Sequence, residues 1–451
     1  MGVFLRHLGE SRSGRPGPMD NETMQKEIGS ETLLPRGVKD FLPLNAAKIE
    51  HLQQTLKKVF FRWGFRPVIT PSLEYLPTLE RGLGEELREA TFRLDDRQSG
   101  RLVAFPPDIT PQVARIVATR MREMPLPLRL CYSGRVLRHT EHQAGKDREI
   151  FQSGVELIGL DSPEADAEMI AMAVECLQKL GAEEFTIDVG QVEFFRGVMA
   201  GLPLSDEMAR KIQVAIARKD VSGLRELLPQ TALDDAVREE ILALPRLFGG
   251  REVLSRATVV TNDRSKRALD YLHRVLETLE SYGVEKYVTL DLGELRGLGY
   301  HTGLTFQGFL TGMGRAVCSG GRYDNLTGRY GRPAPATGFT FNLLNLLFAL
   351  EKQLDAVASL HTDVLIFQAD SDKRSAQQVA RILREQGFSV ARDIIPRSLE
   401  KSLDYAHRMN FNHVLVVDSP ADLLRLIPLQ KGAERRFSLT AVINRDLTVE
   451  F

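Results

Sequence analysis

From residue 93 to residue 160 the chain runs through "FRLDD", "LVAFPPD", "LRLCYSGRVLR" and "FQSGVELIG", strand-like stretches joined by polar loops rather than alternating regularly with helices. Neighbouring parallel strands need long, usually helical crossovers, so this pattern predicts an antiparallel sheet. One helix interrupts it. "TPQVARIVATRM" is expected to start with Thr110 as its cap and Pro111 in its first position.

Helices of amphipathic period flank the sheet region. Ile49, Leu52, Leu56, Val59, Phe60 and Trp63 share one face of a helix, with Lys48, Gln54 and Lys57 elsewhere and Gly64 at its end. "SPEADAEMIAMAVECLQKLG" has Ser162 as a cap, Pro163 at its start and Gly181 at its end. Between these, "FRPVITPSLEYL" reads as a short strand running into a loop. Residues 195–280 change to polar-faced helices and read as an inserted helical subdomain. The strand pattern resumes at "YVTLDLGELRGLGYHTGLTFQGFL" and "GRAVCSGGRYDNL", and the helix of "ATGFTFNLLNLLFALEKQL" follows. After a break, "DVLIFQ" and "HVLVVD" are buried-type strands separated by two helices, which predicts a small α/β domain with a parallel pair. The expected fold class is α+β: an antiparallel sheet flanked by helices over 33–355, and a separate α/β domain over 361–451. Residues 1–32 are polar and rich in small residues and are expected to be disordered; Met19 and Met24 are alternative starts.

A net charge of -1 predicts no general polyanion-binding surface, and the final domain, with 13 Lys/Arg against 12 Asp/Glu, has no electrostatic footprint for RNA. Cys131, Cys176 and Cys318 form no CxxC pair and read as buried thiols in a reducing compartment; no metal site is expected. No apolar run reaches the ~20 residues that span a bilayer. With no apolar signal segment at the start, a cytoplasmic location is expected.

Four segments gather polar groups where an antiparallel sheet could bring them together. "PPDITPQVAR" holds Asp108 and Thr110 at a strand-to-helix junction, where a turn and a cap are the plain alternative. Arg138 closes one strand, while Gln152, Gly154 and Glu156 alternate onto one face of the next, either a binding face or a solvated one. "LRGLGYHTGLTF" sets Arg296, Tyr300 and His301 beside a turn, where a lone histidine is more often a local hydrogen-bonder than a catalyst. "SGGRYDNL" follows two glycines with Arg322, Tyr323 and Asp324, and a tight turn is its plain reading.

The order of these motifs resembles histidyl-tRNA synthetases. "PRGVKDFLP", "PPDITP", "RVLRHTEHQAGKDREIFQSGVELIG", "RGLGYHTGLTF", "SGGRYDNL" and "ATGFTF" occur in that family's sequence, covering residue 33 to about 350 and, more loosely, the last domain. The resemblance implies the class II synthetase fold, dimeric through its first motif. It also implies an amino-acid pocket of Asp108, Thr110, Arg138, Gln152, Glu156, Arg296, Tyr300, His301 and Tyr323. Departures cluster on the nucleotide side. A family glutamate that reads adenine is Thr140, the normally basic residue after it is Glu141, and the arginine that clamps the γ-phosphate falls on Asn345. One lost cationic contact of that kind costs ~10²–10³ in rate. On the amino-acid side, Asp108 stands for a glutamate, Gly299 for an aspartate, and His301 for a tyrosine that touches the imidazole.

That pattern is similar to the synthetase-like family of ATP phosphoribosyltransferase regulatory subunits, which "PDITPQVAR", "GVELIG", "YHTGLTFQGF" and "LPRLFGGREVL" also resemble. This resemblance implies a subunit that does no chemistry and needs no cofactor. Its partners would be a short catalytic subunit in a hetero-octamer and L-histidine as feedback effector, with no membrane and no tRNA. A divergent histidyl-tRNA synthetase is the competing expectation.

Overall fold

The computed structural model describes residues 34–139, 147–257, 262–295, 300–357, 361–370, 372–446 and 449. They fall into two compact units. The first takes the described residues up to Asp40, Leu56–Gln178 and Ala182–Leu346; the second takes Phe41–Thr55, Lys179–Gly181 and the residues from Leu347 onward.

The first unit is built on a nine-stranded sheet in the order β1-β5-β6-β12-β11-β10-β7-β9-β8. Its members are β1 (Arg66–Pro67), β5 (Leu128–Leu137), β6 (Glu149–Ile158), β7 (Phe185–Gln191), β8 (Phe248–Gly249), β9 (Val288–Asp291), β10 (Leu304–Leu310), β11 (Cys318–Arg322) and β12 (Ala336–Asn342). The predicted antiparallel character holds through the centre; β1 with β5 and β7 with β9 are the parallel pairs. A small antiparallel sheet, β2 (Glu74–Tyr75), β4 (Arg101–Phe105) and β3 (Phe92–Asp96), stands apart from it.

One sheet face is apolar. Phe306 and Phe339 approach across the register of Gly320, their ring centroids 5.9 Å apart, and a Cβ on Gly320 would lie 2.4 Å from that of Phe339. The glycine pair is therefore strand rather than turn, and its lack of side chains lets two aromatic residues meet. Helix α1 (Pro43–Arg62) ends as expected, with Gly64 at φ +81°. Its Lys48, expected on the polar side, is only 3% exposed and pairs with Asp355 at 2.5 Å, an ion pair that makes burial tolerable.

Further helices are α2 (Leu76–Glu80), α3 (Glu85–Glu89), α4 (Thr110–Thr119) and α5 (Pro163–Lys179). The reading of Thr110 as a cap is corrected: Ile109 occupies the cap position without a side-chain bond, Thr110 is already helical and buried, and Pro111 follows it. Ser162 does cap α5, its hydroxyl 3.2 Å from the Ala165 amide. The inserted helices are α6 (Val192–Met199), α7 (Asp206–Ala217), α8 (Val221–Leu227), α9 (Asp235–Ala243), α10 (Glu252–Arg256) and α11 (Asp263–Ser281). They contribute β8 to the sheet edge, so the insertion is stitched into the main fold. All three cysteines are buried, which pushes the Cys131 thiol up to about 11 and that of Cys318 to about 12.

After α12 (Leu343–Ala349) and α13 (Glu351–Val357), the second unit carries a five-stranded sheet in the order β14-β13-β15-β16-β17. β13 (Thr362–Gln368) pairs in parallel with β14 (Val390–Arg392) and β15 (Phe411–Asp418), whereas β16 (Leu423–Pro428) and β17 (Arg435–Ser438) continue antiparallel. Val364, Ile366, Leu415 and Val417 make one apolar layer with Val379 and Leu383 of α14 (Arg374–Glu385); Leu365, Val414 and Val416 make the other, with Ala406 of α15 (Leu399–Arg408). Helix α16 (Leu439–Ile443) closes the first layer through Leu439 and Val442. Among the described residues no helix is long and apolar enough to cross a membrane.

Candidate functional site

Register explains how residues remote in sequence meet. Glu156 of β6 stands opposite Gly338 of β12, which stands opposite Gly321 of β11, which stands opposite Thr305 of β10. One step along, Tyr132, Gly154, Thr340, Ser319 and Gln307 form the next row on the same face. Two of the glycines are spaces for other side chains. A Cβ on Gly338 would lie 1.9 Å from Glu156 Oε2, and one on Gly321, at φ +154°, would lie 2.9 Å from His301 Nδ1.

Above these rows opens a cavity of about 650 Å³, and Asp108, Thr110, Arg138, Glu156, Tyr300, His301 and Tyr323 all line it. Gln152 stands behind the wall. Its Nε2 donates to Asp108 Oδ1 at 3.0 Å and its Oε1 accepts from the Ile109 amide at 3.1 Å, so it aims Asp108 while tethering the start of α4. Arg296, Gly299, Thr140 and Glu141 lie outside the described residues.

Glu156 is the centre of the site at 1% exposure. Tyr132 donates to its Oε1 at 3.1 Å and Tyr323 to its Oε2. Burial pushes the carboxyl up to about 8, against the opposing pull of the Tyr323, Thr110 and Tyr132 hydroxyls. Thr110 Oγ1 lies 3.4 Å from the Tyr132 hydroxyl, and the Tyr300 hydroxyl is buried with no hydrogen-bond partner among the described residues. Buried hydroxyls are rarely left so, which marks the point as one a ligand would satisfy. His301 sits edge-on to Tyr300, its Nδ1 3.3 Å from the Arg322 carbonyl, and burial lowers it to about 4.

The electrostatics of the rim were not foreseen. Glu85, Glu86 and Glu89 of α3 line the cavity with Asp108 and Glu156, and Arg138 is the one Lys or Arg among the described lining residues. Part of that guanidinium is spent, its Nε donating to the Pro107 carbonyl at 2.8 Å. At the place where the resemblance calls for a phosphate clamp, Asn345 is neutral and its Nδ2 donates to the Ala316 carbonyl at 2.7 Å. Such a cavity suits an ammonium group and opposes a triphosphate. Tyr132 and Thr340 were also missed; both lie in strand patterns whose facing only the register reveals.

The family model for histidyl-tRNA synthetase matches residues 37–346. An ATP phosphoribosyltransferase regulatory subunit of Syntrophotalea carbinolica is 67% identical over 414 residues, covering 92% of this chain and 97% of that one. The one from Geobacter sulfurreducens is 56% identical over 424 residues, covering 93% and 97%. A solved structure from Bacillus halodurans, described as an ATP phosphoribosyltransferase regulatory subunit/histidyl-tRNA synthetase, aligns with a TM-score of 0.76 at 29% identity over 85% of this chain and 98% of that one. A histidyl-tRNA synthetase from Nostoc shares the fold, with a TM-score of 0.76 at 21% identity over 92% and 99% of the two chains. These relatives lead to one conclusion: the chain belongs to the ATP phosphoribosyltransferase regulatory subunits, within the histidyl-tRNA synthetase-like family.

Proposed function

We propose that this chain catalyses nothing itself and serves as the activating, histidine-sensing subunit of ATP phosphoribosyltransferase, in the cytoplasm, at the first step of histidine biosynthesis. What supports the reading is a cavity lined by Asp108, Glu156 and Tyr323, with Gln152 bonded to Asp108 behind its wall, and carrying acidic side chains where a synthetase needs cations. In this reading Asp108 and Thr110 receive the α-ammonium group, Arg138 meets the carboxylate, and Glu156 takes the imidazole. The partner is a short catalytic subunit, joined in a hetero-octamer around dimers of this chain. Histidine inhibits by binding the active and inhibited assemblies with unequal affinity, since a ligand with equal affinity shifts nothing. The last domain, near neutral in charge, is not assigned to tRNA.

The deciding experiment is histidine-dependent ATP–pyrophosphate exchange on the purified chain, beside reconstitution with a short catalytic subunit. No exchange is expected, together with a histidine-sensitive rise in phosphoribosyltransferase rate. Exchange at synthetase-like rates would establish the divergent synthetase instead. Gly338→Ala offers a second check. The new methyl group would meet both the Glu156 carboxyl and the Val155 carbonyl oxygen, so the carboxyl and the strand beneath it both shift, and histidine affinity by calorimetry is expected to fall at least about tenfold. Unchanged affinity would remove Glu156 from the pocket.

A further inference from the structure

His301 is the residue at which this cavity departs most in chemistry from the synthetase pattern. Its Nδ1 faces the Arg322 carbonyl at 3.3 Å, and a carbonyl oxygen only accepts, so Nδ1 carries the hydrogen. The same ring edge lies against the Cβ-less face of Gly321. That leaves Nε2 as a bare lone pair, with no protein partner among the described residues, on a ring that lines the main cavity and a smaller one of about 140 Å³ behind it. Charged and titratable groups lie near the residue and along both cavities. The Arg196 guanidinium donates to the His301 carbonyl at 3.0 Å, Tyr300 and Tyr323 stand on the main-cavity side, and Asp188, Asp291 and Glu294 line the smaller cavity. Burial nevertheless keeps the ring neutral at physiological pH.

A tyrosine hydroxyl at this position would donate or accept as required, whereas His301 Nε2 can only accept. We propose that His301 sets the proton requirement of the pocket: with Glu156 lining the same cavity, the bound ring offers an N–H to Nε2 and shares a further proton with the Glu156 carboxyl. This rests on the histidine reading above and names which form of histidine the site takes.

The proton balance is explicit. Imidazolium with ionised Glu156 and neutral imidazole with protonated Glu156 contain the same number of protons, so the complex holds one proton in the Glu156–ring pair whichever atom bears it. A free imidazole titrates near ~6.5. Between that value and the Glu156 carboxyl's, about 8, the empty site already supplies the proton and affinity is level. Above it both partners have lost theirs, one must be taken up, and affinity falls about tenfold per pH unit. A His301→Tyr hydroxyl would instead donate to a neutral ring whose N–H meets ionised Glu156, and no proton would be needed.

The test is calorimetry of L-histidine binding to the full chain at pH 9, in buffers of different ionisation enthalpy, for the wild type, His301→Tyr and His301→Gln. The α-ammonium equilibrium is common to all three and cancels. The expected result is that the wild type takes up about one proton more per histidine than either variant. Equal proton counts in the wild type and a variant that binds would overturn the role of His301 and leave the histidine reading standing. No histidine binding by the wild type at any pH from 6.5 to 9 would sink that reading, and this one with it.

Discussion

Glu156→Ala is expected to weaken L-histidine binding about 100-fold, read by titration calorimetry near pH 7. The alanine removes the carboxyl that lines the cavity from the sheet and that this reading gives to the imidazole. It also strands the Tyr132 and Tyr323 hydroxyls, both of which spend their hydrogens on that carboxyl. Unpaired buried hydroxyls cost free energy of their own, so the unliganded protein should lose stability too. Glu156→Gln separates the two effects. The wild-type carboxyl titrates near 8 when folded and in the ordinary carboxylate range when unfolded. Between those values the folded state holds a proton that the unfolded state has lost, so wild-type stability falls as pH rises through that window and levels above it. The penalty reaches the order of a few kcal/mol. Glu156→Gln has no such slope. Urea unfolding from pH 5 to 9 should therefore show the variant gaining on the wild type as pH rises. Parallel curves would mean that Glu156 is not held protonated by burial.

The same carboxyl shows what sequence reasoning can reach. Period-two alternation placed Gln152, Gly154 and Glu156 on one strand face, and the register bears that out. Spacing does not reveal that Gly338 and Gly321 are the neighbours whose missing side chains make room for Glu156 and His301, because that depends on strand order β6-β12-β11. The glycine pair at 320 and 321 looked like a turn for the same reason: close packing across strands and tight backbone reversal both demand glycine, and only the partner strands distinguish them. Thr110 looked like a cap because threonine before a proline usually is one; tertiary contact with Tyr132 uses its hydroxyl instead. The acids of α3 carried no signal, since "GEELREA" has the composition of any solvated helix. Their importance comes from the fold, which brings Glu85, Glu86 and Glu89 to the lining of the cavity.

Arg322 was noticed only as a member of a glycine motif, yet it is the most heavily bonded side chain near the site and the source of the largest expected stability effect. Its guanidinium, 4% exposed, spans Asp166 Oδ2 and Oδ1 at 3.0 Å each, the Leu160 and Ser162 carbonyls, and Asp324 Oδ1 at 3.1 Å. Asp166, fully buried in the first turn of α5, has the Tyr271 hydroxyl of α11 as a further donor at 2.8 Å. One side chain thereby joins the end of β11, the start of α5 and the insertion helix. Its backbone carbonyl orients His301, and the next residue is Tyr323 on Glu156. Arg322→Ala leaves Asp166 buried without its cation and is expected to cost about 3–5 kcal/mol in urea unfolding. Arg322→Lys should recover little of it, because an ammonium cannot form the two-pronged contact. The pair Arg322→Met with Asp166→Leu tests the cause. A buried pair exchanged for apolar groups usually loses far less than half a pair does, so the double variant should be more stable than Arg322→Ala alone. If it is equally unstable, the loss comes from the carbonyl and Asp324 contacts rather than from an orphaned charge. Histidine affinity should then track those contacts, since they set the segment that carries Tyr323.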